Sequence, residues 1–127
     1  MQKTSLYILI VFFFIAGVYH FMNPQFYLPL IPDYLPFPEA INLLSGTLEI
    51  VFALLLIPVK TRKSTSMLIC VLLIAFIPSH IYFIHAGSCF ENSICVAPWI
   101  AWIRLLVIHP LLIYWTWYAG NLKTLKS

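Results

Sequence analysis

Charged residues are scarce in this sequence, and their scarcity excludes most water-soluble folds. Lysine, arginine, aspartate and glutamate together make up 9% of the chain, whereas 62% of the residues are hydrophobic. A soluble globule of this size needs more polar surface than that to cover its core. The net charge of +3 is spread over short segments between apolar runs. This pattern excludes a basic face that binds nucleic acid and indicates a membrane protein embedded in the lipid bilayer.

Signatures of catalysis are also missing. Only four glycines occur, and none belongs to a nucleotide-binding loop. No nucleophile has an evident base nearby in the sequence, so catalytic residues are unknown and catalytic activity stays open. The four histidines never lie three or four residues apart within one helix. We therefore predict no haem and no metal site.

Four apolar runs are long enough to cross a bilayer. They predict spans at about residues 5–22, 39–58, 66–84 and 97–118, all within one transmembrane domain of residues 1–127. The first run follows Lys3 as a secretory signal would, but small residues at a cleavage site are lacking, so we interpret it as a helix. The predicted fold is all-α, an integral membrane four-helix antiparallel bundle.

The charges outside the spans predict the orientation. Basic residues occur at the termini and in the second connection, and acidic residues in the first and third: Lys3, Lys60, Arg62, Lys63, Lys123 and Lys126 against Asp33, Glu39 and Glu91. By the positive-inside rule, both termini and the second connection are cytoplasmic. The predicted location is the bacterial cytoplasmic membrane.

The first connection, residues 22–39, is rich in proline. It contains five of the nine prolines, namely Pro24, Pro29, Pro32, Pro36 and Pro38, together with aromatic residues. Proline prevents a regular helix, and aromatic side chains suit a membrane interface. We expect an ordered extracytoplasmic loop, which either packs on helix ends or gates a site for a lipophilic ligand.

Two cysteines fall in the third connection. Cys89 and Cys95 lie outside the membrane in the predicted orientation, where an oxidising compartment permits a disulfide. Their spacing does not match a Cys-x-x-Cys redox motif. A structural disulfide, a redox-active pair that exchanges electrons with a quinone, and two free thiols all remain open.

The second span carries a carboxylate in its middle. Glu49 shares one helical stripe with Asn42, Ser45 and Gly46, because spacings of three and four residues place side chains on one face. An acidic group at mid-membrane depth is costly unless another group compensates its charge. The stripe is therefore a candidate functional site.

Other polar residues are expected at a similar depth. With a rise of about 1.5 Å per residue, His20 lies near the outer end of the first helix, and His80 and Arg104 lie about one and two turns below the outer ends of theirs. Glu49 and Arg104 form a structural ion pair in one interpretation and line a pocket for a polar head group in the other. The candidate ligand-binding residues are His20, Asn23, Ser45, Glu49, His80 and Arg104.

Two prolines fall inside the last two spans. Pro78 lies two residues before His80, and Pro110 directly follows His109. Each is expected to kink its helix and to release the carbonyl four residues upstream, at Ile74 and Leu106. A polar or ligand-filled cavity would satisfy such carbonyls.

Several of these residues together resemble the DoxX-like family of small four-helix membrane proteins. The resemblance rests on Tyr19-His20-Phe21, Asn23-Pro24, Pro29, Pro32, Tyr34-Leu35-Pro36, Pro38, Ser45-Gly46, Glu49, Pro58, Arg62, Pro78, Ile81-Tyr82 and Arg104. It implies the same four-helix fold. Members are associated with membrane redox systems, such as the small subunit of a thiosulfate to quinone oxidoreductase, and a eukaryotic branch is similar to a chaperone for acetylcholine receptors.

Two functions follow from these observations. The first is a redox-associated accessory subunit that binds a quinone or another lipophilic ligand between its helices, as the resemblance and the polar cluster suggest. The second is a non-enzymatic scaffold, chaperone or assembly factor that packs against other membrane protein subunits. Small residues such as Ser45 and Gly46 would allow that close helix packing.

Overall fold

The described part of the chain is helical. The computed structural model describes residues 2–122, so Lys123 and Lys126 of the orientation argument lie outside the described residues. Its four long helices are α1 (Gln2–Met22), α2 (Pro38–Leu55), α3 (Val59–His85) and α4 (Pro98–Gly120). Within residues 2–122 the only extended pairing is an isolated bridge between Cys89 and Cys95. The prediction of an all-α chain with four helices of membrane-spanning length and apolarity is confirmed.

The turn between α2 and α3 is shorter than the sequence suggested. Helix α3 begins at Val59, directly after Pro58, so the basic residues of the second connection lie on its first turns. Arg62 donates from Nε to the Leu56 carbonyl at 2.9 Å and from Nη2 to the Ile57 carbonyl at 2.8 Å. These bonds satisfy carbonyls that the end of α2 leaves without helical partners. The two helices can therefore reverse direction within three residues.

The two helices with a proline in their interior, α3 and α4, are irregular. Helix α3 consists of Val59–Ala75 and Ile77–His85, with a break at Phe76 two residues before Pro78. Helix α4 contains a π-helical turn at Arg104–Ile108, closed by a bond from the His109 N–H to the Arg104 carbonyl, directly before Pro110. Proline lacks the N–H of a regular turn and collides with the turn before it, so the backbone adjusts there.

The long helices associate mainly as two pairs. Helix α1 packs on α2, and α3 packs on α4. Gly17 of α1 meets Gly46 of α2 so closely that a Cβ added at Gly17 would lie 2.7 Å from the Gly46 carbonyl oxygen. The start of α1 also contacts the end of α4, where the Trp115 indole N–H donates to Ser5 at 2.8 Å.

The apolar core is divided into two clusters. The larger contains Leu6, Leu9, Ile10, Phe13, Ala53, Leu56, Ile69, Leu73 and Ala119. The smaller contains Leu30, Phe83 and Ala101, and it lies beside the proline-rich segment.

The proline-rich segment is anchored at two points. It contains the short helical turns Pro24–Tyr27 and Leu28–Leu30. Ser79 of α3 donates its hydroxyl to the Leu30 carbonyl at 2.6 Å, and Ser93 donates to the Phe26 carbonyl at 2.5 Å. Ser93 belongs to the turn between α3 and α4, so this segment and that turn are held together.

Candidate functional site

A cavity of about 700 Å³ lies between the four long helices and the proline-rich segment. Most of its wall is apolar, and its polar lining residues are Tyr27, Tyr34, His20, Asn42, Ser45, Glu49, Ser79, His80, Arg104 and His109. Five of the six candidate ligand-binding residues are among them. The sixth, Asn23, does not line the cavity, because its amide donates to the Tyr19 hydroxyl at 3.0 Å where the chain leaves α1.

The glycine contact between α1 and α2 builds one wall of this cavity. A Cβ added at Gly46 would lie 2.6 Å from the Cβ of His20. This close approach lets the buried Asn42 reach across to His20. The Asn42 amide nitrogen donates to the His20 carbonyl at 3.1 Å, and its oxygen lies 2.7 Å from ring atom Nδ1. Asn42 was expected on the stripe of Glu49, and its partner is a residue of the neighbouring helix.

These two bonds determine which nitrogen of His20 carries a proton. Because the amide NH₂ of Asn42 is directed to a carbonyl, its oxygen faces the ring and must accept a hydrogen bond there. Nδ1 of His20 is therefore the donor, and Nε2 is left facing Glu49. The distance from Nε2 to Oε2 of Glu49 is 3.7 Å.

Glu49 is almost completely buried beside this histidine. It is 6% exposed, and its Oε2 has no hydrogen-bond partner among the described residues. A lone pair on Nε2 and a charged carboxylate would repel each other, so the pair is most stable when one of the two groups carries one proton. In that state its net charge is zero, whichever of the two atoms holds the proton. At 3.7 Å the two atoms are too far apart for a hydrogen bond, so Oε2 stays unsatisfied.

The expected ion pair between Glu49 and Arg104 is not formed. In the described part of the chain, the guanidinium of Arg104 has no carboxylate oxygen within 4.0 Å, whereas Glu49 faces His20. The reason is the arrangement of the helices. Glu49 belongs to the α1–α2 pair and Arg104 to the α3–α4 pair, and the cavity separates them.

Arg104 lies at the π-helical turn of α4. Its guanidinium carbon is 5.7 Å from the centre of the Phe83 ring, in the range of a cation–π contact. The side chain is half-buried and lines the cavity. An irregular turn of this kind is frequent at functional sites, and here it places a permanent positive charge against the cavity.

Two histidines meet next to Arg104. The rings of His80 and His109 are 4.7 Å apart between their centres and stand at 65° to each other. Nε2 of His109 donates to the carbonyl of Leu73 at 2.6 Å. The sequence predicted a released carbonyl at Ile74, whereas the carbonyl that His109 satisfies is that of the preceding residue, Leu73. His109 was absent from the candidate residues, although its position directly before Pro110 indicated an irregular, partly unpaired stretch of helix.

Tyr27 closes the cavity on the side of the proline-rich segment. Its ring stacks on His20, with 3.6 Å between the ring centres and 15° between the planes. Burial raises the pKa of the Tyr27 phenol to about 12, with smaller contributions from the nearby Glu49 and Tyr19. The phenol therefore keeps its proton near neutral pH and can donate a hydrogen bond. No sequence pattern pointed to this residue.

A family model matches residues 9–120 of the chain, a region that includes every polar residue of the cavity. Its description is a domain of unknown function, DUF8561. The chain belongs to this family. No curated protein and no solved structure matches the chain. The family membership therefore adds no ligand and no activity to the geometry described above.

The two cysteines of the third connection are bonded to each other. Cys89 and Cys95 form a disulfide in the structure, while Cys70 is a free, buried thiol of α3. Neither Cys89 nor Cys95 lines the cavity. Within residues 2–122, no cluster of three or more histidine, cysteine or acidic side chains is placed to hold a metal ion.

Proposed function

We propose that this protein binds a lipophilic molecule with a polar head in the cavity between its helices. The observation that carries the proposal is Glu49, a buried carboxyl with an unsatisfied oxygen that lines a largely apolar space. A buried polar atom without a hydrogen bond costs about 1–3 kcal/mol, so a ligand that supplies a donor or acceptor gains affinity from it. The apolar walls would hold the rest of the molecule.

We further propose the arrangement in the membrane that the sequence predicts. The four long helices form an antiparallel bundle in a bacterial cytoplasmic membrane, with both termini cytoplasmic and the proline-rich segment on the outer side. The segment then covers the outer end of the cavity. Its hydrogen bonds to Ser79 and Ser93 support a defined lid position. Opening this lid would give a ligand access from the outer leaflet.

A quinone is the ligand that the resemblance to DoxX-like proteins suggests, and the protein would then act as an accessory subunit of a membrane redox system. His20, Ser45, Glu49 and Arg104 carry part of that resemblance, and they line the cavity. None of the side chains lining the cavity is an evident electron carrier. In this proposal electrons come from a partner protein, and the chain contributes binding and proton positions.

Native mass spectrometry of the gently solubilised protein tests the proposal. We expect a bound small molecule of constant mass to accompany the unaltered protein. The variant Glu49→Gln should lose most of it, because an amide replaces the buried carboxyl group whose unsatisfied oxygen would contact the polar head. Glu39→Gln is the matched control, since Glu39 is an exposed acid in the first turn of the same helix. Spectra without any retained molecule, or equal retention in both variants, would count against the proposed site.

A further inference from the structure

The charges around the cavity do not balance. The titratable residues that line it are Tyr27, Tyr34, His20, Glu49, His80, Arg104 and His109. The pair of His20 and Glu49 has no net charge when it holds one proton, as argued above. The remaining histidine side chains and the phenols supply no negative charge, so the guanidinium of Arg104 is left as an uncompensated positive charge.

Arg104 has no means of losing that charge. A carboxyl group or an imidazole can become neutral by gaining or losing a proton, whereas an arginine stays protonated in proteins. The three other acidic residues, Asp33, Glu39 and Glu91, are exposed, and across residues 2–122 none of them forms an ion pair with Arg104. The contact with Phe83 offsets only a small part of the cost of burying the guanidinium.

We propose that the ligand carries an anionic head, a carboxylate or a phosphate, and that Arg104 is its counter-ion in the cavity. This inference rests on the proposed function, and it narrows the ligand from any lipophile with a polar head to an anionic amphiphile, which excludes the uncharged quinone that the resemblance suggests. The planar guanidinium presents paired donors that match two oxygens of either head group. The apolar residues of the same cavity would contact the hydrocarbon part.

The position of Glu49 fits an anionic ligand. A free carboxylate in the same cavity would repel a second anion, but one proton on the pair of His20 and Glu49 removes its net negative charge. Glu49 and Arg104 both line the cavity, Glu49 from the α1–α2 pair and Arg104 from the α3–α4 pair. The wall that contains Arg104 therefore attracts an anion, and the wall that contains Glu49 does not repel it.

The test compares anionic amphiphiles with uncharged ones, and its central comparison is a fatty acid against its methyl ester. Protein in dodecyl maltoside, an uncharged detergent, is titrated with dodecanoate, methyl dodecanoate, dodecyl phosphate and decylubiquinone, and occupancy is read by native mass spectrometry. We expect dodecanoate and dodecyl phosphate to bind at least about tenfold more tightly than the methyl ester, since hydrogen bonds to charged groups are the stronger ones. Inorganic phosphate alone is included as a competitor.

Variants of Arg104 assign the effect to this residue. Arg104→Gln should weaken dodecanoate binding by about tenfold or more and leave the methyl ester unchanged. Arg104→Lys, which keeps the charge, should retain most of the preference for the acid. Lys60→Gln is the control, because it removes an exposed cation from the start of α3. If Arg104→Gln fails to fold, Arg104→Lys and the acid-to-ester ratio of the unaltered protein still decide the question.

The possible outcomes separate this inference from the proposed function. Equal binding of acid and ester, or tighter binding of decylubiquinone than of both anions, overturns the anionic head while ligand binding in the cavity stands. Displacement of dodecanoate by inorganic phosphate at equal concentration overturns the amphiphile and identifies a free anion as the ligand. No binding of any of the four lipophilic probes contradicts the proposed function itself.

Discussion

The hydrogen bond between His20 and Asn42 offers a direct measurement of how α1 and α2 are held together. Replacing Asn42 by alanine removes its bonds to the ring and to the carbonyl of His20. Such bonds contribute about 0.6 kcal/mol each on average in membrane proteins, with a maximum of about 1.7. The void left by the buried side chain costs about 1 kcal/mol more. We therefore expect Asn42→Ala to lower the free energy of unfolding by about 2 kcal/mol.

A double-mutant cycle isolates the bond to the ring. His20→Ala leaves the backbone carbonyl in place, so the coupling energy between the two substitutions reports the contact of the ring with the amide. We expect a coupling of about 0.6–1.7 kcal/mol, measured by circular dichroism during unfolding in mixed micelles of mild and denaturing detergent. Thr47→Val is the control, because Thr47 lies on the exposed face of α2 and bonds only within its own helix.

A coupling energy near zero would refute the reasoning. It would mean that the ring of His20 and the amide of Asn42 are not bonded in the folded protein. The tautomer assigned to His20 would then have no support. The proton assigned to the pair of His20 and Glu49 would have no support either. A loss of stability in Thr47→Val as large as that in Asn42→Ala would show that the assay responds to any change on α2.

Two further predictions concern the packing of the helices and the third connection. Gly46→Ala should lower the unfolding free energy by about 1 kcal/mol. Overpacking against His20 costs about 1–3 kcal/mol, and the better helix propensity of alanine offsets about 1 kcal/mol of that cost. A rise in the thermal midpoint would contradict the close helix contact. Cys89→Ser should lower the unfolding free energy by about 2 kcal/mol, because the loop between residues 89 and 95 is no longer closed by the disulfide. Ligand retention in native mass spectra should stay unchanged. Loss of the ligand would instead tie the disulfide to the site.

The stripe on α2 could be predicted from the sequence because helical spacing is a local property. Asn42, Ser45, Gly46 and Glu49 are all buried in the structure, as their spacing indicated. The positions of the helix irregularities in α3 and α4 were also predictable. Proline acts on the turn that precedes it, so no knowledge of the remaining chain is needed.

The partner of Glu49 could not be predicted by the same reasoning. Depth along a helix follows from counting residues, and counting placed His20, Glu49 and Arg104 where they could converge in the outer half of one bundle. Which helix lies beside which depends on lateral packing, and the deciding feature was the contact between Gly17 and Gly46. Gly17 and Gly46 lie in different helices, and nothing in the sequence indicates that they contact each other.

The separation of Glu49 from Arg104 has a physical explanation in the same contacts. An ionised carboxylate facing a guanidinium across a cavity in an apolar environment would favour closure of the cavity, because pairing reduces the cost of both charges. His20 removes much of that driving force, because its pair with Glu49 has no net charge when it holds one proton, and Asn42 holds the ring with Nε2 towards Glu49. The glycine contact fixes α1 against α2, and α3 and α4 are irregular near their prolines. The two walls of the cavity therefore gain little free energy by approaching each other. A cavity with one neutral wall and one positive wall can therefore persist until a ligand fills it.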